Sequence, residues 1–463
     1  MSARKSCRAH AMPAHQEPLS INHIECEKDS VSGAVSQRAC AFCGARVVLN
    51  PITDAFHIIH GPIGCASYTW DIRGSLSSDS ELFRNSFSTD MSETDIIFGG
   101  EGKLARAIDQ VVQAHRPPLI FVYATCIIGI IGDDVVQVCQ EAENRHGIRV
   151  IAVQAPGFSG HKAMGYRLAG EAIMQVFGSQ PRLRSSGGRQ DNQRDQSDPQ
   201  DGERDQASGI NILGDFNLAG EMWIVKNYLK QVGIDVQCGI TGDSTYAELL
   251  RAPKARLNVV QCAGSMTSLA KKMRDNLDIP FIRVSFYGIK DTCDSLINIA
   301  QALGDELATE RARRFCAEQS AALQPLMRRY RQQLAGKRAA IYVGGGFKAI
   351  SLIRQFEELG MTTVLVGTQT GRPEDYVQIR RMVKAGCVVL DDANPAELER
   401  FMLDKGADIL VGGVKERPLA YKLGVAFCDH NHERKQPLAG FVGVANFASE
   451  INYSINSPVW RYI

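Results

Sequence analysis

Short apolar runs alternating with helical stretches recur along most of this chain, and they leave little choice of architecture. Residues 119–123 (LIFVY) lie between Pro117-Pro118 and Thr125 and are apolar at every position, as in a strand covered on both faces. Residues 133–146 follow with a helical pattern, then the run 150–153 and the Pro156-Gly157 turn. Strand, helix and strand in that order imply a parallel sheet with crossover helices. The pattern returns at 210–213, 235–239, 257–261 and 282–285, and again at 338–343, 363–367, 387–391 and 409–412. One long charged, Ala-rich helical stretch at about 293–334 separates the last two series. The expected fold is α/β, with three Rossmann-like domains built on parallel sheets. Ligands of such sheets bind outside the carboxyl ends of the strands.

At 463 residues the chain exceeds one typical domain. Residues 1–38 show no sustained periodicity and read as a loose arm, followed by a first α/β domain at 39–178. Residues 179–208 are dense in Gln, Asp, Arg, Ser and Gly with almost nothing apolar, so they read as a polar linker or insertion. A second domain at 209–335 and a third at 336–463 complete the chain. A net charge of +1 creates no overall field toward nucleic acid or an acidic membrane. The polar N-terminus and the lack of an apolar run of about 18 residues argue against secretion and membrane insertion, so a cytoplasmic protein is expected.

Thirteen cysteines in a chain without a leader point away from disulfides and toward metal or redox chemistry. Cys139, Cys238, Cys293, Cys316 and Cys387 fall inside helical or strand patterns, where a thiol packs as a small apolar group. Cys40, Cys65 and Cys126 differ, each lying among small residues: Arg-Ala-Cys-Ala-Phe-Cys-Gly, His-Gly-Pro-Ile-Gly-Cys-Ala and Ala-Thr-Cys-Ile-Ile-Gly. Cys262 stands alone in Asn-Val-Val-Gln-Cys-Ala-Gly. Iron–sulfur clusters are usually held by four thiolates. Three early cysteines and one late one therefore suggest two metal sites, each incomplete within this chain. Cys40 and Cys43 form a Cys-x-x-Cys, but no second pair completes a zinc site. Gly99-Gly100-Glu101-Gly102-Lys103 and Gly344-Gly345-Gly346-Phe347-Lys348 are glycine-rich, yet neither has the spacing of a Walker or dinucleotide loop. Asp429-His430-Asn431-His432-Glu433-Arg434 gathers ligand-capable groups after an apolar strand, and a plain surface loop is the alternative.

Further segments carry a family resemblance: Pro51-Ile52-Thr53-Asp54, Trp70-Asp71-Ile72-Arg73-Gly74, Phe98-Gly99-Gly100-Glu101, Gly132-Asp133-Asp134, Ala155-Pro156-Gly157-Phe158, Ser285-Phe286-Tyr287-Gly288 and Ser457-Pro458-Val459-Trp460. Over nearly all of residues 38–460 the chain resembles the E-type subunits of nitrogenase cofactor assembly scaffolds (the NifE family or its vanadium-system counterpart VnfE). The resemblance implies an α2β2 heterotetramer with an N-type subunit. It makes Cys40, Cys65 and Cys126 ligands of a [4Fe-4S] cluster at the subunit interface, with the fourth thiolate from the partner. It makes Cys262 the anchor of a precursor of the iron–molybdenum cofactor (FeMo-co), and it places Arg73, Lys348 and Lys415 as cationic groups around that anionic cargo and its homocitrate. Molybdenum or vanadium would be installed there, with the nitrogenase iron protein and a precursor-cluster donor as further partners.

Departures from the catalytic α subunit favour a scaffold. Asn431 stands where that subunit has a cofactor-ligating His, and His161-Lys162-Ala163-Met164-Gly165-Tyr166-Arg167 lacks its Gln and His-His pair. His430 or His432 could still ligate the precursor transiently. The alternatives are a catalytic α subunit of a nitrogenase-like reductase, including the dark protochlorophyllide reductase type, and a metal-free α/β binding protein.

Overall fold

The computed structural model describes residues 12–13, 39–69, 82–178, 209–431 and 434–462. Arg73, His432 and the polar insertion lie outside this set. The described residues build three sheets, and apart from one short edge strand every pairing is parallel. The first runs Ser86–Ser88, Ala55–His60, Leu119–Ala124, Arg149–Gln154. The second runs Val236–Ile240, Ile210–Leu213, Leu257–Val260, Phe281–Arg283. The third runs Val388–Asp391, Thr362–Thr368, Arg338–Val343, Ile409–Gly412, Ala426–Asp429.

The strand orders decide where a ligand can sit. In each sheet the first strand in sequence, the short edge strand of the third sheet aside, has its successor on one side and a later strand on the other. The chain thus leaves neighbouring strands in opposite directions and opens a crevice at their carboxyl ends. The crevice lies between Ala55–His60 and Leu119–Ala124 in the first sheet, and between Ile210–Leu213 and Leu257–Val260 in the second. In the third it lies between Arg338–Val343 and Ile409–Gly412.

The expected strands are present, with ends shifted by a residue or two. Leu119–Ala124 is buried at all six positions, as its uninterrupted apolar run requires. Two expectations need correction, and one strand was not foreseen. The long helical stretch is two helices, Ile289–Ala302 and Glu306–Leu334; Gly304 takes a left-handed φ of 68°, and the Asp305 side chain caps the second helix at Ala308 N (2.8 Å). The arm is not wholly apart from the fold, since Met12–Pro13 pairs antiparallel with Val388–Val389. Ala55–His60 is a central strand that its two histidines conceal in the sequence. Both rings are buried: His57 Nδ1 meets the Tyr123 hydroxyl at 2.9 Å, and His60 bridges Thr89 and Asp133.

The units around the three sheets share their cores. Phe42, Leu49 and Phe121 of the first pack in one cluster with Leu213, Val260 and Met266 of the second. Ile212, Leu229 and Phe286 of the second pack with Ile341, Ile353 and Phe447 of the third. Within the first domain the helices Ala41–Leu49 and Lys162–Phe177 touch backbone to backbone. A Cβ on Gly44 would stand 2.1 Å from the Lys162 carbonyl oxygen, and one on Gly165 2.0 Å from that of Ala41.

Candidate metal centres

Cys65 and Cys126 occupy the crevice of the first sheet because each follows one of its two bordering strands. Cys65 sits in the short helix Ile63–Tyr68 after Ala55–His60, and Cys126 begins Cys126–Ile131 after Leu119–Ala124. The Thr125 hydroxyl donates to the His60 carbonyl (2.9 Å) and locks the two loops together. Only a glycine fits at 61, where φ is 156° and a Cβ would lie 2.0 Å from Thr125 Oγ1. Cys40 arrives from outside the sheet as the residue before the helix Ala41–Leu49. It pairs with His161 in an antiparallel bridge, held by Ala41 N to Gly160 O (2.9 Å) and Lys162 N to Ala39 O (2.7 Å).

Gly157 shows that these thiols converge. Its N–H donates to Cys126 Sγ at 3.0 Å, and a Cβ there would be 2.9 Å from Cys126 Sγ and 3.5 Å from Cys40 Sγ. Cys65 belongs to the same group: burial pushes its pKa up first, and the nearby Cys126 and Cys40 push it further. Among the described residues, no group of three or more His, Cys, Asp and Glu is placed to hold a single metal ion. Thiols arranged around a bare glycine, with a backbone N–H aimed at sulfur, suit a bulkier sulfide-bearing cluster. Cys43 is buried in the core and packs as an apolar group.

The helix-capping and positioning groups of this region escaped the sequence reading. Asp133 accepts from Gly100 N (3.0 Å) and from His60 Nε2 (3.1 Å). It thereby occupies the N-terminus of Glu101–His115, which closes the glycine-rich stretch at 99–103 to phosphate. Ile63 and Tyr68 on the Cys65 helix, Ile130 on the Cys126 helix and Phe158 beside Gly157 are all exposed. An apolar rim of this kind marks a protein–protein contact.

Cys262 lies in the crevice of the second sheet, directly after Leu257–Val260 and at the start of the helix Ala263–Leu277. The facing loop is glycine at 214, where a Cβ would sit 2.8 Å from Cys262 Cβ. The third sheet brings Lys348 and Lys415 to its own crevice, Lys348 in the first turn of the helix Gly346–Glu358 that follows Arg338–Val343 and Lys415 on the loop after Ile409–Gly412. Asn431 follows the adjoining strand Ala426–Asp429. Its amide packs against Gly413, so close that a Cβ there would be 2.5 Å from Asn431 Nδ2. Its backbone N–H donates to Asp429 Oδ1 (2.7 Å).

The second and third crevices are tied together by contacts that the sequence reading did not foresee. Lys348 Nζ donates to the His430 carbonyl (2.9 Å) and stands 5.5 Å from the Tyr287 ring centre. Arg372 Nη2, from the third domain, donates to the Ala263 carbonyl beside Cys262 (2.9 Å). Arg434 donates to the His430 and Asn431 carbonyls (3.1 Å each) and forms a buried ion pair with Glu221 of the second domain. Tyr287 donates to the same carboxylate (3.2 Å). Asp215, buried on the loop after Ile210–Leu213, is pushed up to about 7 by burial and then by the Glu221 charge. Arg434 and Tyr287 fell within motifs already noted for other reasons; Glu221 and Asp215 carried no signal. His430 is fully buried between Tyr287 and Phe447. Burial first, then the Lys348 and Arg434 charges, hold it far below its ordinary pKa, so the ring is neutral.

A family profile for nitrogenase component 1 type oxidoreductases matches residues 40–456. The chain belongs to this family. Its relatives include the nitrogenase iron-molybdenum cofactor biosynthesis protein NifE of Clostridium pasteurianum, 59% identical over 440 residues, with 95% of this chain and 92% of that protein covered. The protein of the same name from Methanosarcina barkeri is 48% identical, with 95% and 93% covered. Among solved structures, Nitrogenase Cp1 at pH 5 superposes with a TM-score of 0.81 at 31% identity, covering 94% of this chain and 92% of that one. The three-sheet α/β architecture is therefore that of nitrogenase component 1. Among the described residues, no helix is long and apolar enough to cross a membrane.

Proposed function

We propose that this chain is the E-type half of a scaffold on which the iron–molybdenum cofactor matures from an all-iron precursor by insertion of heterometal and homocitrate. The observation that carries this reading is the placement of thiols at two separate switch-point crevices. One is rimmed by exposed apolar side chains, and the other is tied by Arg372 and a buried ionic network to the crevice that carries Lys348, Lys415 and Asn431. The names of the relatives favour the scaffold over a catalytic subunit, and molybdenum over vanadium.

Cys40, Cys65 and Cys126 fit three corners of a [4Fe-4S] cluster, which supplies electron transfer when bound. Gly157 N–H stabilises thiolate at Cys126. An N-type subunit docking on the apolar rim supplies the fourth thiolate, giving the heterotetramer of the family. The precursor is cargo. Cys262 anchors it through one thiolate, and Lys348, Lys415 and Arg73 attract its negative charge and that of homocitrate. Asn431 is a weaker ligand than an imidazole, so a cluster held at Cys262 can leave once complete. The iron protein and a precursor donor deliver electrons, metal and cluster to this face in the cytoplasm.

The test is iron per complex after anaerobic co-purification with the N-type partner. Wild type should hold more iron than one cluster per pair, Cys262→Ala should lose the surplus, and Cys65→Ala should lose the interface share. Equal iron in wild type and Cys262→Ala would defeat the anchoring role.

A further inference from the structure

Among the described residues, one buried charge beside the first sheet has no counterion. Arg46, in the helix Ala41–Leu49, is 0% exposed. Its Nη2 donates to Ser86 Oγ (2.8 Å), and its guanidinium lies 5.4 Å from the Tyr123 ring centre. Nε and Nη1 have no hydrogen-bond partner. Among the described residues no carboxylate pairs with it, and its neighbours are neutral. Burial pushes Tyr123 up to about 12, and burial together with the Arg46 charge drives His57 far below its ordinary value. A guanidinium cannot shed its proton to escape burial. An unpaired cation in a core is among the most costly arrangements a fold can carry, and it persists where something supplies the opposite charge.

The place of Arg46 in the chain relates it to the candidate cluster cysteines. Arg46 stands six residues from Cys40 along one helix, roughly 9 Å. Tyr123, which it covers, lies in the strand Leu119–Ala124 three residues before Cys126, which begins the next helix, so at most roughly 10 Å of chain separates them. Arg46 and Tyr123 are themselves fully buried, so screening at the guanidinium end is weak and its charge reaches across that distance.

We propose that Arg46 is the buried counter-charge of the cluster held by Cys40, Cys65 and Cys126, a positioning residue that raises the cluster's reduction potential. The inference rests on the reading of those cysteines as cluster ligands. Thiolate ligands make the site anionic, and one-electron reduction adds a further negative charge. A fixed cation nearby therefore favours the reduced form. Bare protein bears the cost of the cation, and cluster binding relieves it.

Two substitutions separate charge from packing. Arg46→Met keeps much of the stem and removes the charge; Arg46→Lys keeps the charge and loses the planar fork. Each is placed in a Cys262→Ala background, so that only interface iron remains, and co-purified with the N-type partner. The midpoint potential is read by redox titration followed by electron paramagnetic resonance. The Met variant should titrate at lower potential than its parent, and the Lys variant should recover most of the difference. Stripped of iron, the Met variant should melt no lower than iron-free parent. A midpoint unchanged in the Met variant at full iron loading would overturn the proposal. So would equal downward shifts in both variants, or an iron-free Met variant that melts well below its parent, which would make Arg46 a structural pin. Should the Met variant fail to accumulate, Arg46→Gln carries the same comparison. Failure of the underlying reading looks different: iron in the Cys262→Ala complex would not depend on Cys65.

Discussion

Gly165→Ala tests whether backbone contact between two helices sets the position of Cys40. A Cβ at 165 would stand 2.0 Å from Ala41 O, 2.5 Å from Ala45 N and 2.7 Å from Gly44 Cα. All are backbone atoms, so no rotamer change relieves the clash, and the helices Ala41–Leu49 and Lys162–Phe177 must part by about an ångström or more to restore normal contact. Overpacking of this kind costs about 1–3 kcal/mol, here at the upper end. Alanine's better helix propensity returns about 1 kcal/mol. A net loss of about 2 kcal/mol lowers the melting temperature by roughly 4–8 °C for a domain of this size. The displaced helix carries Cys40 away from Gly157, so interface iron should fall too. Gly170→Ala on the same helix is the control. Its nearest foreign atom, Leu269 Cβ, is 3.5 Å away, an ordinary contact. That variant should melt at or slightly above the wild-type temperature with full iron. The two proteins would be compared by calorimetry and iron analysis after anaerobic purification. Wild-type melting and iron in Gly165→Ala would refute the argument. An equal loss in Gly170→Ala would show that the helix tolerates no added methyl, whatever lies opposite.

Gly157→Ala should reduce interface iron while shifting stability by less than about 1 kcal/mol, because the half-buried loop can yield but the thiol cradle cannot; iron retained in full would count against a cluster there. Arg434→Met should cost about 3–5 kcal/mol by stranding the buried Glu221 carboxylate. Adding Glu221→Gln should recover most of that loss in denaturant titrations, and no recovery would mean the ion pair is not the cause. Asp215 titrates near 7 in the folded chain against about 3.9 unfolded. Its contribution to stability is thus complete below the unfolded value and lost as pH rises through 7. The melting temperature of Asp215→Asn relative to wild type should therefore climb from pH 5 to pH 8, and a flat difference would disprove the raised pKa.

The apolar runs were legible as strands because parallel strands buried on both faces need no polar positions. Ala55–His60 was not, since its two histidines find partners only from other segments: Tyr123, Thr89 and Asp133. The helix break at 303–305 was similarly hidden inside one helical pattern.

Residue type, spacing and family resemblance were enough to nominate Cys40, Cys65, Cys126 and Cys262 and to divide them between two sites. The sequence by itself determined that parallel sheets would form, because the strand pattern is local and apolar burial is nearly independent of partner. Only the tertiary structure decided which strands became neighbours. That ordering brought Cys65 and Cys126 to one switch point, Cys262 to a second, and Lys348 and Lys415 to a third. It also buried Arg46 with no counterion among the described residues and joined Glu221 to Arg434 across 213 positions of sequence. Such pairings depend on chain crossings and long-range packing, and no local pattern encodes them.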